Sequence, residues 1–188
     1  MSHPSPGASA PCSAVAAAFT ALLSLAGCSA TVHAPIRTQP CVDLERFMGP
    51  WYVIANIPTS LEEGAHNAVE SYRLDEDGTI DTTFTFRDGS FDGKEKRYNP
   101  RGYVVDRDTN AVWEMQFVWP FRADYRIVYV SPDYTTTIIG REKRDYVWIM
   151  ARSPQIDEET YRSLVEMAAS QGYPAERIVR VPQRWTQP

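Results

Sequence analysis

The chain has 188 residues, 43% of them hydrophobic, and a formal net charge of −5. That length fits one domain, or one domain behind a leader, with enough apolar material for a core. The acidic balance argues against a nucleic-acid-binding surface. The charges are placed unevenly. No Asp, Glu, Lys or Arg precedes Arg37, so all 24 acids and 19 bases lie from that position onward.

The uncharged start contains an apolar run, Ala14 to Gly27. It is too short for a bilayer span, which takes about 20 residues. It has the length of a signal-peptide core, and no polar face recurs at helical period. The region before it lacks Lys and Arg and holds only His3, so either the natural start differs or the amino terminus alone supplies the positive charge usual there. Two processing routes follow. A cut after Val32-His33-Ala34 would leave a free protein. Alternatively, Leu25-Ala26-Gly27-Cys28 matches the bacterial lipobox: an apolar residue, two small ones, then the thiol that takes diacylglycerol. On that pattern residues 1–27 are a lipoprotein signal peptide and Cys28 is the lipid attachment site. Residues 28–40 are a short, polar, proline-punctuated tether, and 41–188 form the folded domain. Ser29 at the next position resembles the outer-membrane sorting pattern. Each buried methylene contributes about 0.8 kcal/mol, so several acyl chains give durable attachment where one does not. Cys12 would leave with the leader. Cys41 then has no disulfide partner and is expected as a buried thiol.

Beyond residue 48 apolar side chains mostly alternate. Strands are expected at 51–56, 68–74, 79–86, 96–106, 111–118, 124–130, 134–141 and 145–152. Asp75-Glu76-Asp77-Gly78 marks a hairpin, and Pro100 with Gly102 a bulge. The connections are too short for parallel crossovers, so the order is an antiparallel meander. A helix capped by Asp157 carries Tyr161, Leu164, Val165 and Ala168 on one stripe and ends at Gly172. One stripe means packing outside a sheet. Residues 177–181 add a short strand. Eight such strands close into a barrel with room for one small ligand, with a two-sheet sandwich as the alternative.

Gly49-x-Trp51-Tyr52 resembles the first signature of the lipocalins. Ser131-Pro132-Asp133-Tyr134 resembles the second, and Arg152 after "DYVWIMA" fits the third. "RDYVWIMARSP" is similar to bacterial lipocalins and "NIPTSLEEG" to apolipoprotein D. The resemblance covers roughly residues 41–182. It implies an all-β, eight-stranded antiparallel up-and-down barrel with one C-terminal α-helix outside. Strand ends alternate, so Trp51, Asp133-Tyr134 and Arg152 converge on one end, which the family identifies as closed. Arg152 stacked on Trp51 would contribute about 0.5–2 kcal/mol. Gly49, Trp51, Asp133, Tyr134 and Arg152 are therefore fold residues. Loops 58–66, 87–93, 119–123 and 141–145 ring the mouth, with Trp119 and Phe121 on the rim and "REKRD" at 141–145 either meeting lipid headgroups or forming an ordinary surface loop.

The more apolar phase of each strand points inward. It holds Tyr72 and Leu74; Ile80, Phe84 and Phe86; Trp113, Met115 and Phe117; Tyr125, Ile127 and Tyr129; Trp148 and Met150. Glu70 shares that phase. Either it faces out or pairs with an arginine, or it stands in the upper lumen as counter-ion for a cationic headgroup, flanked by tyrosines. The ligand-binding set is Glu70, Tyr72, Phe84, Phe86, Trp113, Met115, Phe117, Tyr125, Ile127, Tyr129 and Trp148. About ten buried methylenes yield roughly 8 kcal/mol before ordering costs, which sets a dissociation constant near micromolar.

Catalytic material is sparse. His66 is the only histidine of the folded segment, His33 being in the tether. No metal-ligand spacing or phosphate loop occurs, and no cofactor is expected. The acidic pairs Asp75/Asp77 and Glu62/Glu63 fall in turns and are expected in solvent. The leading expectation is a non-enzymatic carrier of a fatty acid, lysophospholipid or similar apolar ligand. It would sit on the periplasmic face of a bacterial outer membrane, with envelope maintenance as the role the resemblance implies. A homodimer is left open. A lipocalin-fold enzyme, or a structural lipoprotein filled by its own aromatics, are the alternatives.

Overall fold

The computed structural model describes residues 34–185, so the signal peptide and Cys28 lie outside the described residues. The first described residues run along the barrel wall, where the Gln39 N–H donates to the Ile127 carbonyl at 2.9 Å. Ile36 is buried there, so the later part of the segment expected as tether packs on the barrel. A short helix follows, α1 (Leu44–Phe47), capped by the Asp43 carboxylate. Sequence periodicity had no means of showing one helical turn.

The strands are β1 (Gly49–Ile57), β2 (Ala65–Leu74), β3 (Thr79–Asp88), β4 (Glu95–Tyr98), β5 (Arg101–Val104), β6 (Val112–Val118), β7 (Phe121–Val130), β8 (Thr136–Gly140), β9 (Val147–Ala151) and β10 (Val179–Arg180). β1, β2, β3, β5, β6, β7, β8 and β9 pair antiparallel in that order, and β1 pairs with β9 to close the barrel. β4 and β5 both pair with β3. They are one expected strand, broken at Asn99-Pro100 because proline has no N–H to donate. The eight-stranded closed barrel expected from the meander is therefore what forms, and the sandwich is excluded. β10 adds to the outer edge of β1.

Helix α2 (Glu158–Ser170) starts where the Asp157 carboxylate accepts from the Thr160 N–H at 2.8 Å. Gly172 follows with a φ of +95°. Leu164 and Ala168 are buried against Ala55, Ile57, Val128, Ile138, Val147 and Ile149 on the outside of the sheet. Burial of a leucine in such a seam contributes about 1.5–3 kcal/mol. This outer cover explains why every residue of β8 is buried: one face meets the lumen, the other meets α2.

A second cluster fills the lower lumen. Phe47, Trp51, Tyr72, Trp113 and Tyr125 interlock there, with Trp113 and Tyr125 stacked at 5.5 Å and Phe47 edge-on to Trp113. Below it lies the closed end. Gly49 sits at a φ of +92°, and a Cβ there would meet the Arg152 guanidinium at 3.4 Å. The Arg152 guanidinium lies 3.7 Å from the Trp51 ring centroid. It also donates to the carbonyls of Pro50, Arg46 and Met48 at 2.8 Å and of Phe47 at 3.0 Å. The Arg46, Phe47 and Met48 carbonyls end α1, and the Phe47 carbonyl also accepts from Trp51 Nε1 at 2.9 Å. Asp133 accepts from Ser131 and Thr135, which holds its carboxyl below the usual range. The Tyr134 hydroxyl accepts from the Asp43 N–H at 2.8 Å.

Several expected positions are corrected. Cys41 is exposed, and Val42 takes the buried place beside it. Tyr129 turns to the outer cluster because the register between β7 and β8 shifts across Ile127/Tyr129, which puts Val130 inward instead. Leu74 is exposed at the end of β2.

Candidate ligand cavity

Above the aromatic floor the lumen opens into a cavity of about 340 Å³. That is at the low end for small-molecule sites. Its rows follow from the ladder register. Trp51 faces Glu70, Glu70 faces Phe84, and Phe84 faces Tyr98 across β1 to β4. The next row runs Ile80, Gly102, Met115 and Ala123. Gly102 has no room for a side chain, since a Cβ would sit 3.1 Å from both Ile80 Cβ and Met115 Sδ.

Of the expected ligand set, Glu70, Phe84, Met115, Phe117, Tyr125 and Trp148 line the cavity. Tyr72, Phe86, Trp113 and Ile127 are buried but belong to the packed cluster beneath and beside it. Tyr129 is outside the barrel, as described above. Leu61, Glu62, Tyr98, Ala123, Arg141 and Tyr146 also line it. Most of these lie on loops or on the short β4, where alternation gives no facing information.

Two carboxylates reach the cavity. Glu70 is buried, faces inward opposite Trp51 in the ladder and lines the cavity, so the outward placement does not hold. Burial pushes its carboxyl up to about 7, against a hydrogen bond from Tyr72, with the charge of Glu62 raising it further. The Tyr72 and Tyr125 hydroxyls bond to one another beneath it. Glu62 was expected in solvent and is buried instead. It accepts from Asn56 Nδ2 at 2.9 Å, from Trp148 Nε1 at 2.8 Å and from Thr59 Oγ1 at 3.0 Å. Desolvation still raises its carboxyl above the ordinary value. The missed signal was Asn56, a polar residue in an otherwise apolar β1 that needed a buried partner. Arg141 comes to the rim, 3.3 Å from Asp145 and over the Tyr146 ring. His66 lies elsewhere, its Nδ1 2.9 Å from the Gly64 carbonyl and its ring against Phe91.

A barrel plugged at one end, with an apolar cavity open at the other, defines a container for a small molecule. Residues 42–183 match the family described as a lipocalin-like domain, and the chain belongs to the lipocalin family, whose members bind lipophilic ligands. It is 32% identical over 161 residues to temperature-induced lipocalin-1 of Arabidopsis thaliana, covering 78% of this chain and 82% of the relative. It is 26% identical over 179 residues to outer membrane lipoprotein Blc of Escherichia coli K12, covering 90% and 95%. Apolipoprotein D of Mus musculus is 28% identical over 154 residues, covering 77% and 79%. Among solved structures, insecticyanin of the tobacco hornworm Manduca sexta superposes with a TM-score of 0.64 at 13% identity, over 83% of this chain and 87% of that one. The cockroach allergen Per a 4 does so at 0.59 and 22%, over 80% and 93%. At those identities the structures speak for the fold alone.

Proposed function

We propose that this lipocalin is a membrane-tethered carrier, lipidated at Cys28, that holds an amphiphile in the upper barrel. The observation that carries it is the mouth-open cavity with apolar walls from Phe84, Tyr98, Met115, Phe117 and Trp148. The lipobox and the likeness to a bacterial outer membrane lipoprotein support the anchor and an outer-membrane location facing the periplasm. The acids that line the cavity, Glu70 inside the barrel and Glu62 from the β1–β2 loop, select among ligands. Glu70 and Glu62 repel a fatty-acid carboxylate and suit an ammonium headgroup, with Tyr98 and Trp148 offering ring faces. Lysophospholipids bearing choline or ethanolamine fit this chemistry better than free fatty acids. The role is lipid storage or transfer in the envelope.

Displacement of a neutral apolar fluorophore, N-phenyl-1-naphthylamine, by lysophosphatidylethanolamine and by palmitate tests it. Competition by the lysophospholipid at micromolar concentration, lost in Ala123→Phe, is expected. No displacement by either, with no lipid retained on extraction, would instead favour a structural lipoprotein, for which the filled lower lumen speaks.

A further inference from the structure

The chain enters the described region at the mouth end of the barrel. The β7–β8 turn and Arg152 mark the floor, so the turn between β8 and β9 lies at the opposite end. Arg144 in that turn is buried, and its guanidinium donates to the Ala34 carbonyl at 2.7 Å and to the Gln171 carbonyl at 3.0 Å. The Ile36 N–H donates to Glu142 Oε1 at 3.2 Å, and the Arg37 N–H to Gln171 Oε1 at 3.1 Å. The segment is therefore tied to the β8–β9 turn at two points and to the end of α2 at a third. Six residue steps separate Cys28 from Ala34, a reach of at most about 21 Å.

The same end carries an apolar prong. Trp119 is 82% exposed, Phe121 77% and Val118 68%, all at the tip of the β6–β7 hairpin. Leu61 and Phe117 are half exposed and also line the cavity, so apolar side chains stand at the rim between the tip and the lumen. β8 leaves β7 at the Arg126/Gly140 pair. The five residues of β7 beyond it carry the tip roughly 16 Å further, within the reach of the tether. Single exposed apolar residues need no explanation, but a contiguous group on one projecting hairpin marks an interaction surface.

The geometry points to a barrel anchored mouth-down, with the Val118–Phe121 tip inserted in the bilayer that holds the Cys28 lipid, so that an amphiphile passes from membrane to cavity without crossing water. Trp119 is suited to that depth, since its ring is apolar and its indole N–H can meet headgroups. This rests on lipidation at Cys28, and its test separates the two.

The full chain, produced in a bacterial host and recovered with its membrane lipid, is placed in phosphatidylethanolamine/phosphatidylglycerol vesicles carrying brominated acyl chains. The protein's mass reports the lipid on Cys28. Tryptophan quenching by bromine reports the tip. The expected result is quenching that Trp119→Phe reduces by half or more. Transfer of lysophospholipid into the cavity should slow at least fivefold in the Trp119→Ser, Phe121→Ser variant. The control variant Leu74→Ser, Val105→Ser, at the floor end, should leave both unchanged. If the mass shows no lipid, the anchor fails. Coupling Cys28 to a maleimide lipid in the Cys12→Ser, Cys41→Ser chain then holds the barrel by the same residue and reads the tip independently. Anchored protein with Trp119 unquenched overturns the orientation. A dimer that the Trp119→Ser, Phe121→Ser variant dissolves would assign the tip to a second copy and overturn it too. Both tip residues are exposed, so circular dichroism should show the variants folded.

Discussion

Arg152 covers Trp51 from below and ties the closed end together. Its guanidinium has five backbone carbonyls as partners, three of them from the last turn of α1 and its cap. Burial lowers its affinity for the proton to about 10, still far above neutral pH, so it stays charged. A lysine cannot reproduce the planar fork or its multiple donors. Arg152→Lys should cost about 2–3 kcal/mol in urea unfolding, and Arg152→Ala more, because carbonyls at the end of α1 lose their partner. A loss below about 0.5 kcal/mol would show that the floor is held by apolar packing alone.

The Tyr173 hydroxyl clips the other end of the wall. It accepts from the Arg141 N–H at 2.7 Å and donates to the Arg141 carbonyl at 3.0 Å. Its proton is held up to about 12, chiefly by burial. Tyr173→Phe keeps the ring and strands both backbone groups. The cost should be about 1–3 kcal/mol, with faster amide exchange at Arg141. Unchanged exchange there would mean that water replaces the hydroxyl.

The swap of Cys41 and Val42 has an equally direct check. Cys41 is exposed, so it should react with a soluble thiol reagent in the native state within minutes, and Cys41→Ser should change stability by less than about 0.5 kcal/mol. Val42 is buried in the lumen cluster, so Val42→Ala should cost at least about 1 kcal/mol. A protected Cys41 in the native protein would restore the phase expected from sequence.

Much of the barrel was legible because alternation is a direct consequence of the pleat. Strand order, closure and the outer helix all followed from β-spacing, short turns and one capped apolar stripe. Alternation fails where the pleat does. The β7 shift sent Tyr129 outward, and nothing in "DYRIVYV" marks which residue is extra. Glu62 was hidden for another reason. A carboxylate in a loop is solvated unless three donors meet it, and its donors Asn56, Thr59 and Trp148 come from separate elements. The cavity is shallower than a barrel outline implies, because Phe47 from an unforeseen helical turn and Trp113 fill the base.

Glu70 makes the cavity sensitive to pH. Its carboxyl titrates near 7 in the folded chain and near 4.5 when free. A raised carboxylate favours folding while protonated, so its contribution is full below pH 4.5 and is lost as pH rises through 7. The groups around it are Glu62 from the β1–β2 loop, Tyr72 on its own strand and Tyr125 from β7. None supplies a positive charge to hold the ionised form. Glu70→Gln should match wild type in stability at pH 4 and exceed it by up to about 3 kcal/mol at pH 8, measured by urea unfolding. Ligand affinity should move the other way. Lysophosphatidylethanolamine should bind wild type more tightly as pH rises from 6 to 8, and Glu70→Gln should bind it at least tenfold more weakly at pH 8. Equal losses for palmitate and the lysophospholipid would remove the headgroup role. An unchanged stability difference across that pH range would show that Glu70 ionises in water.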